Sequence, residues 1–287
     1  MQIMHRIGLT ASEGDRREID RLGIKLPPQG NVSPSFVFFD ASESDESWPA
    51  VRAWIEHRHP SDFVSTKFAM QEVAGARWLA LVPEWHHGYP QPNADNDGYL
   101  NVSYDLTDMC SVCRIGKRQK APFRMSGEPR WGRRGILQLN WVFDEYFATP
   151  EVWATVFAPH DIGSRPVLNG RAVELKTVVQ LVVGERVELQ TRGLESERCP
   201  SCGRVRYHPI VRGPVPPLLT VPSGQMARTY EWFGGGGRSF NQVLVSQALA
   251  RAVQAANVKG VAFEPVAEEV KTGDEQAAPA PGPDARF

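Results

Sequence analysis

The four cysteines of this chain are the residues whose type and spacing most clearly indicate chemistry. They form two C-x-x-C pairs, Cys110 with Cys113 and Cys199 with Cys202. A two-residue gap lets a tight turn aim two thiolates at one ion, with backbone N–H groups beside the sulfurs to stabilise their charge. A tetrahedral zinc site needs four ligands, and no cysteine of the chain is left over. The sequence therefore predicts one structural zinc ion bound by all four thiolates.

Other interpretations of the cysteine pairs remain open. A thioredoxin-like redox pair would stand at the start of a helix, and neither pair opens a convincing amphipathic helix. A catalytic zinc ion usually has three protein ligands and an open position, whereas four thiolates close the coordination shell. Cysteines paired by chance, or mixed ligation, are the last alternatives. Structural zinc is preferred because both pairs have ligand spacing.

The two pairs are separated by residues 114–198, a long gap for a zinc site. A free-standing zinc ribbon has roughly 15–20 residues between its pairs. Here a strand–helix–strand region is predicted between the two half-sites. Closing so long a loop removes conformational entropy from the unfolded chain, so we expect the metal to clamp this insertion to the rest of the fold.

A basic segment follows the first cysteine pair and is the second candidate for function. Its cations are opposed locally by Glu128 alone, and Phe123 and Trp131 are interleaved among them. One interpretation of this pattern is contact with nucleic acid or an acidic protein, with rings that stack on bases or on a partner's side chains, but on patterning alone it is not the preferred one. The alternative is a solvated loop, neutralised elsewhere in a chain whose net charge is −1. The candidate binding surface comprises Arg114, Lys117, Arg118, Lys120, Arg124, Arg130, Trp131, Arg133 and Arg134.

The segment Trp85-His86-His87-Gly88 could place imidazoles in a metal site or an acid–base site. No Asp, Glu or His stands at a motif-like spacing from them, so we prefer to interpret them as loop histidines. The sequence also has no nucleophile elbow, no H-E-x-x-H and no dinucleotide fingerprint. We expect a protein that is not an enzyme, with catalysis at His86 and His87 as the remaining alternative.

The elements that must position these residues are short helices and strands. Thr10 and Glu13 have the spacing of a capping box, and Thr149 and Ser246 are each placed to cap a later helix. We expect an α+β fold with mixed or antiparallel sheets, a few short helices and a pair of zinc knuckles. Apolar runs predict buried strands at residues 36–39, 78–82, 136–143, 175–183 and 243–245.

The composition, with 41% hydrophobic and 23% charged residues, is that of an ordinary globular protein. No apolar run approaches the roughly 18–20 residues that span a bilayer, and the N-terminus lacks a signal-peptide pattern. We expect a cytoplasmic protein. The predicted organisation is an N-terminal α/β segment (1–98), a zinc-binding α+β domain (99–266) with the insertion 114–198, and an acidic, Ala/Pro-rich tail (267–287) that should be disordered.

The second cysteine pair and the C-terminal segment match a known pattern. Cys199-Pro-Ser-Cys202-Gly203 is a full C-x-x-C-G motif, and the last predicted helix is followed by Gly260-Val-Ala-Phe263-Glu-Pro265. On these residues the chain resembles the double-CXXCG motif proteins, a paralogous group first noted in myxobacteria and related to bacterial immunity proteins against secreted toxins. The first pair departs from the motif, with Arg114 in place of the glycine, and residues 1–98 are not matched.

The resemblance implies a zinc-stabilised α+β protein that acts by binding another protein. Neutralisation of a cognate toxin is one such role. The alternative is a nucleic-acid-binding zinc protein that uses the basic loop 114–134. A membrane partner is not expected.

Overall fold

The computed structural model describes residues 1–26, 35–93, 97–235 and 238–268, and it has the predicted α+β architecture. The predicted disordered tail lies outside these residues from 269 onward. The α-helices are α1 Glu13–Arg21, α2 Trp48–Arg58, α3 Met70–Gly75, α4 Gly98–Ser103, α5 Pro150–Val152 and α6 Gln247–Ala255, and α5 continues as a π-helix Trp153–Phe157 and a 3-10 helix Ala158–His160. The strands are β1 Gln2–Ala11, β2 Ser35–Ser42, β3 Ser61–Lys67, β4 Trp78–Pro83, β5 Tyr104–Asp105, β6 Arg118–Gln119, β7 Arg124–Met125, β8 Ile136–Leu139, β9 Val142–Ala148, β10 Gly163–Asn169, β11 Glu174–Val182, β12 Glu185–Val187, β13 Ser196–Arg198, β14 Val205–Tyr207, β15 Met226–Thr229, β16 Phe233–Gly235, β17 Arg238–Phe240, β18 Val243–Ser246 and β19 Val261–Pro265.

The N-terminal unit contains a three-stranded antiparallel sheet in the order β2-β1-β3. Residues of this sheet form one hydrophobic core with residues of α1 and α2. The capping box of α1 consists of Ser12 and Asp15, not Thr10 and Glu13 as predicted, because β1 continues through Ala11. The prediction that residues 36–39 form a buried strand is also wrong in part, because only half of these residues are buried. Their burial alternates, with Val37 and Phe39 buried and the two other phenylalanines exposed, as a strand with one solvated face requires.

A five-stranded sheet in the order β12-β15-β18-β4-β19 forms the centre of the molecule. The helix α6 covers it, and the hydroxyl of Ser246 accepts a hydrogen bond from the Leu249 N–H, as expected of the predicted cap. In this sheet β4 lies between β18 and β19. The sheet therefore draws strands from both sides of residue 98, and the division into domains stays a prediction.

A second five-stranded sheet, in the order β7-β10-β11-β9-β8, is built from the insertion 114–198. The predicted single strand at 136–143 is two strands, β8 and β9, which pair in antiparallel fashion. The chain reverses at Trp141, whose φ is 68°. Thr149 caps α5 as predicted, with its hydroxyl accepting from the Val152 N–H.

Two small sheets carry the cysteines. The pair β5-β6 encloses Cys110 and Cys113, and the neighbouring strands β13 and β14 of the sheet β13-β14-β16-β17 enclose Cys199 and Cys202. Each C-x-x-C sequence thus forms the turn of a hairpin. Within the part of the chain described, no helix has the length and apolar character needed to cross a membrane.

Candidate metal centre

The structure brings the two distant cysteine pairs together in one cluster, as the sequence predicted. All four sulfurs lie within 4.8 Å of one another. The Sγ atoms are 3.8 Å apart between Cys110 and Cys199, and 3.6 Å apart between Cys113 and Cys202. A tetrahedral ion with metal–sulfur bonds of about 2.3 Å places its ligands about 3.8 Å apart. The cluster could therefore hold one metal ion. Three of the sulfur-bearing residues are buried, and Cys202 is exposed.

The two hairpin turns have the same backbone hydrogen bonds. In the first, the Cys110 N–H donates to the carbonyl of Ile115 (3.0 Å), and the Arg114 N–H donates to the carbonyl of Cys110 (2.9 Å). The second turn repeats both bonds at equivalent positions, each at 2.9 Å. This turn points both thiols of a pair in one direction, which is why two such turns can meet around an ion.

The residue after each second cysteine has a left-handed backbone. The φ angle is 71° at Gly203 and 62° at Arg114. Glycine adopts this conformation without cost, whereas arginine does not. The arginine side chain has a compensating contact, because Nη2 lies 2.6 Å from the carboxylate of Asp97, which also accepts from Arg238 at 3.2 Å. At the position where the resemblance expects glycine, this chain has an ion pair that links the first turn to β17.

The local electrostatics favour thiolates in part of the cluster. The backbone N–H groups of Cys113 and Val112 lower the pKa of Cys110 to about 6, and the same kind of bond lowers the pKa of Cys199. Burial has the opposite effect on Cys113, since it raises the pKa of that thiol to about 12. A divalent cation among the sulfurs would compensate this burial and hold Cys113 as a thiolate. The donor set therefore fits a bound cation.

Two polar contacts join the two hairpins beside the sulfurs, and a third joins the first hairpin to β17. Arg204, from the second hairpin, donates to the carbonyls of Asp108 (2.6 Å) and Ile115 (2.7 Å) in the first. The Ser239 hydroxyl donates to the carbonyl of Cys113 (2.6 Å). Sequence reasoning missed these residues, since nothing in their spacing relates them to the first cysteine pair.

The nine residues of the candidate binding surface do not form one uniform set. Arg114 and Arg118 are held by Asp97 and Asp108, and Lys117 lies 5.2 Å from the ring centroid of Tyr104. The exposed members are Arg118, Lys120, Arg130, Arg133 and Arg134, whereas Arg124 and Trp131 are half-buried.

The two aromatic residues interleaved in the basic segment lie in different surroundings. Phe123 is fully buried in the core of the insertion sheet, so the expectation that it contacts a partner was wrong. The indole N–H of Trp131 donates to the carbonyl of Thr177 at 2.9 Å. The one local acid, Glu128, accepts from the backbone N–H groups of Lys176 and Thr177, which anchors the segment to β11.

Two groups of rings and guanidinium groups lie near this segment, each with one ring from the loop 85–89, and together we call them the aromatic–arginine surface. Trp85 packs edge-on against Trp131, with ring centroids 5.6 Å apart, and Arg134 lies over Trp85 at 4.8 Å. Trp141 packs against Tyr89 at 4.4 Å, and Arg238 lies over Trp141 at 5.2 Å. The surface comprises Trp85, Tyr89, Trp131, Arg134, Trp141 and Arg238.

Backbone hydrogen bonds position this surface. The loop that precedes α4 runs beside β8, where Gln138 donates to the carbonyl of Trp85 (3.0 Å) and His87 donates to the carbonyl of Gln138 (2.8 Å). His87 packs on the indole of Trp85 at 5.5 Å, and burial lowers its pKa. Neither His86 nor His87 forms a side-chain hydrogen bond or ion pair with a described carboxylate.

The sequence matches no protein-family model and no curated protein.

Proposed function

We propose that this chain is a structural-zinc protein that acts by binding another protein and catalyses no reaction. Four thiolates in tetrahedral array select zinc or iron among the common metals. Zinc is favoured because two hairpin turns with C-x-x-C spacing are the usual setting of a structural zinc site.

The arrangement supports a structural role for the metal. Four protein ligands leave no open position for a substrate or a reactive water. The site also closes the base of a long insertion, where cross-linking gains the most from the entropy of the unfolded chain. The ion would thus fix the sheet that carries Trp131 and Trp141 relative to the rest of the fold.

The observation that carries protein recognition is the aromatic–arginine surface. Tryptophan, tyrosine and arginine are the residues most enriched at binding hot spots. Here the rings hold one another in place, so a partner would find them already ordered and binding would cost little side-chain entropy. The neighbouring Arg130 and Arg133 are exposed, which favours a partner with an acidic surface.

The same geometry favours protein over nucleic acid as the partner. Single-stranded nucleic acid binds on rings that have a free face. Arg134 lies over Trp85 and Arg238 lies over Trp141, while Phe123 is buried. Nucleic-acid binding remains the second candidate, because the exposed Lys120, Arg130 and Arg133 form no salt bridge with a described carboxylate.

The resemblance to the double-CXXCG motif proteins supports a more specific role. The partner would be a secreted toxin, and the chain would neutralise it by occluding its working surface. A toxin with an acidic face would suit the exposed arginines.

Metal analysis of the purified protein tests the zinc proposal. We expect one zinc per chain, and the double substitution Cys199→Ser with Cys202→Ser should abolish it. The substitution Ser201→Ala, between the two ligands, is the matched control and should leave zinc content unchanged. Protein that is folded and metal-free after purification without chelators would refute the proposal.

Binding to the product of an adjacent secreted-toxin gene tests recognition. We expect a complex in size-exclusion chromatography, weakened at least about tenfold by Tyr89→Ala with Arg134→Ala. Arg17→Ala, at an equally charged and exposed position on α1, should not change it. A folded protein and toxin that form no complex would contradict the proposal.

The salt dependence of binding tests the second candidate function, nucleic-acid binding. Steeply salt-dependent binding of DNA or RNA, lost when Arg130, Arg133 and Arg134 are neutralised, would favour nucleic acid over protein.

A further inference from the structure

A polar cavity of about 220 Å³ lies apart from the aromatic–arginine surface and shares no residue with it. It opens between the insertion sheet and the central sheet, beside the hairpin of the first cysteine pair. Its floor contains Asp144 and Glu145 of β9 and Arg228 of β15. Charged side chains are rarely buried, and Asp144 and Glu145 are only 2% and 4% exposed. The burial of these two carboxylates therefore requires a structural or functional explanation.

Two carboxylates lie beside one guanidinium at the floor of the cavity, and Lys117, whose ammonium group lies 5.2 Å from the Tyr104 ring centroid, also lines it. Arg228 donates to one oxygen of Glu145 at 2.9 Å, and Gln180 donates to the other, also at 2.9 Å. Glu145 is therefore satisfied on both oxygens. Asp144 has only a long contact of 3.7 Å with Arg228 and a 3.4 Å hydrogen bond from the Asn241 N–H, both to the same oxygen. Two carboxylates thus share one guanidinium.

Three residues of the floor have buried oxygens without a partner among the described residues. They are Asp144 Oδ1, Asn241 Oδ1 and the Tyr104 hydroxyl, and these side chains are 1–3% exposed. Burial raises the pKa of Tyr104 well above its ordinary value, so its hydroxyl stays protonated. Buried polar atoms are nearly always hydrogen-bonded in folded proteins. The Tyr104 hydroxyl and Arg228 Nε are buried donors without a described partner, whereas Asp144 Oδ1 and Asn241 Oδ1 are acceptors that receive no described hydrogen bond. A donor with a positive charge would pair with the Asp144 carboxylate.

The rim of the cavity has the opposite character. Arg165 and Arg186 line it and are exposed, and neither forms a salt bridge with a described carboxylate. Arg186 lies over the ring of Tyr230, with its guanidinium 5.7 Å from the ring centroid, which holds it in place. The third rim arginine, Arg118, is already paired with Asp108 at 2.8 Å. Arg186 Nη1 donates to the Thr229 carbonyl at 3.4 Å, and the remaining N–H groups of Arg165 and Arg186 are available to an anion.

We propose that this cavity binds a small zwitterion, with its ammonium group at Asp144 and Asn241 and its anionic group at Arg165 and Arg186. The cavity is smaller than the roughly 300–1,000 Å³ of pockets for drug-sized ligands, so the ligand has the size of a free amino acid or an aminoalkyl phosphate. Water could satisfy the unpartnered oxygens, but it would not form an ion pair with Asp144 or with the rim arginines.

Calorimetric titration of the full-length, metal-loaded protein tests this inference. The probes are the free amino acids and phosphoethanolamine, with ethanolamine and inorganic phosphate as ligands that carry only one of the two charges. We expect one zwitterion to bind with a Kd of about 1 mM or lower, and both single-charge probes at least about tenfold more weakly. A preference for phosphoethanolamine would identify the anion as phosphate, and a preference for an amino acid would identify it as carboxylate. The absence of binding by every zwitterion up to about 10 mM would overturn the proposal.

Substitutions at the two ends of the cavity locate the binding. Asp144→Asn keeps the shape of the floor but removes its charge, and binding should be lost. Because Asp144 is buried and that variant could fail to fold, Arg165→Gln at the exposed rim is the second variant, with an expected loss of at least about tenfold. Arg171→Gln, an exposed arginine outside the cavity, is the matched control. Unchanged binding by folded Arg165→Gln protein would also overturn the proposal.

Discussion

Gly116 lies where the first cysteine hairpin meets the second, and it has no room for a side chain. Its φ is 104°, in the left-handed region that L-residues avoid. A methyl group built on this position would lie within 3.0 Å of the Asp108 carbonyl oxygen and of Arg204 Nη1. These two atoms are hydrogen-bonded to each other across the hairpins. Gly116→Ala would therefore separate them or move the backbone that carries Cys113.

The expected cost follows from two contributions. Holding alanine at a left-handed φ costs about 1–3 kcal/mol. Forcing a methyl group into closely packed surroundings adds about 1–3 kcal/mol, since a backbone oxygen cannot rotate away. Gly203 provides a matched control in the other hairpin, because its φ is 71° but nothing lies within 4 Å of an added methyl group. Gly203→Ala should show the conformational cost alone.

Urea unfolding of the zinc-loaded variants measures both costs. Gly116→Ala should be less stable than Gly203→Ala by about 1–3 kcal/mol, and it should release zinc to a chelator sooner. Equal stabilities of the two variants, within about 0.5 kcal/mol, would refute the argument that contact between the hairpins limits this position.

Three further predictions concern other parts of the fold. Arg114→Gly relieves the strain of the left-handed backbone but loses the ion pair with Asp97, so its free energy of unfolding should stay within about 1 kcal/mol of wild type. Arg114→Ala loses the same ion pair and keeps the backbone strain, so it should be less stable than Arg114→Gly. Backbone N–H groups of the loop before β15 lower the pKa of Glu185, so its carboxylate stabilises the fold above its unfolded pKa of about 4.3 and loses this effect as the pH falls through the folded pKa. The stability difference between wild type and Glu185→Gln, measured by urea unfolding, should therefore shrink in acid, and a constant difference would contradict it. Ser239→Ala removes the donor to the Cys113 carbonyl and should cost about 1 kcal/mol with a faster release of zinc, whereas zinc release at the wild-type rate would argue against a role beside the metal.

Features that depend on a few neighbouring residues could be predicted from the sequence. Thr149 and Ser246 cap their helices as expected, because a cap requires only a hydroxyl and an N–H three residues later. The cysteine spacing likewise predicted two tight turns, each of which points its pair of thiols in one direction. The capping box predicted at Thr10 was wrong because β1 pairs with β2 through Ala11, beyond Thr10. A local sequence pattern does not reveal where strand pairing ends.

Features that depend on which distant strands pair were decided by the tertiary structure alone. The burial of Phe123, the stacking of Arg238 on Trp141 and the partnerless oxygen of Asp144 result from contacts between segments far apart in the chain. Composition and spacing do not determine these contacts, because the register between strands is set by packing over the whole core. The sequence by itself determined the class of fold and the four cysteines of a cluster that could hold a metal ion. Only the folded chain decided which rings and charges reach the surface, since that depends on which side of each strand faces the core.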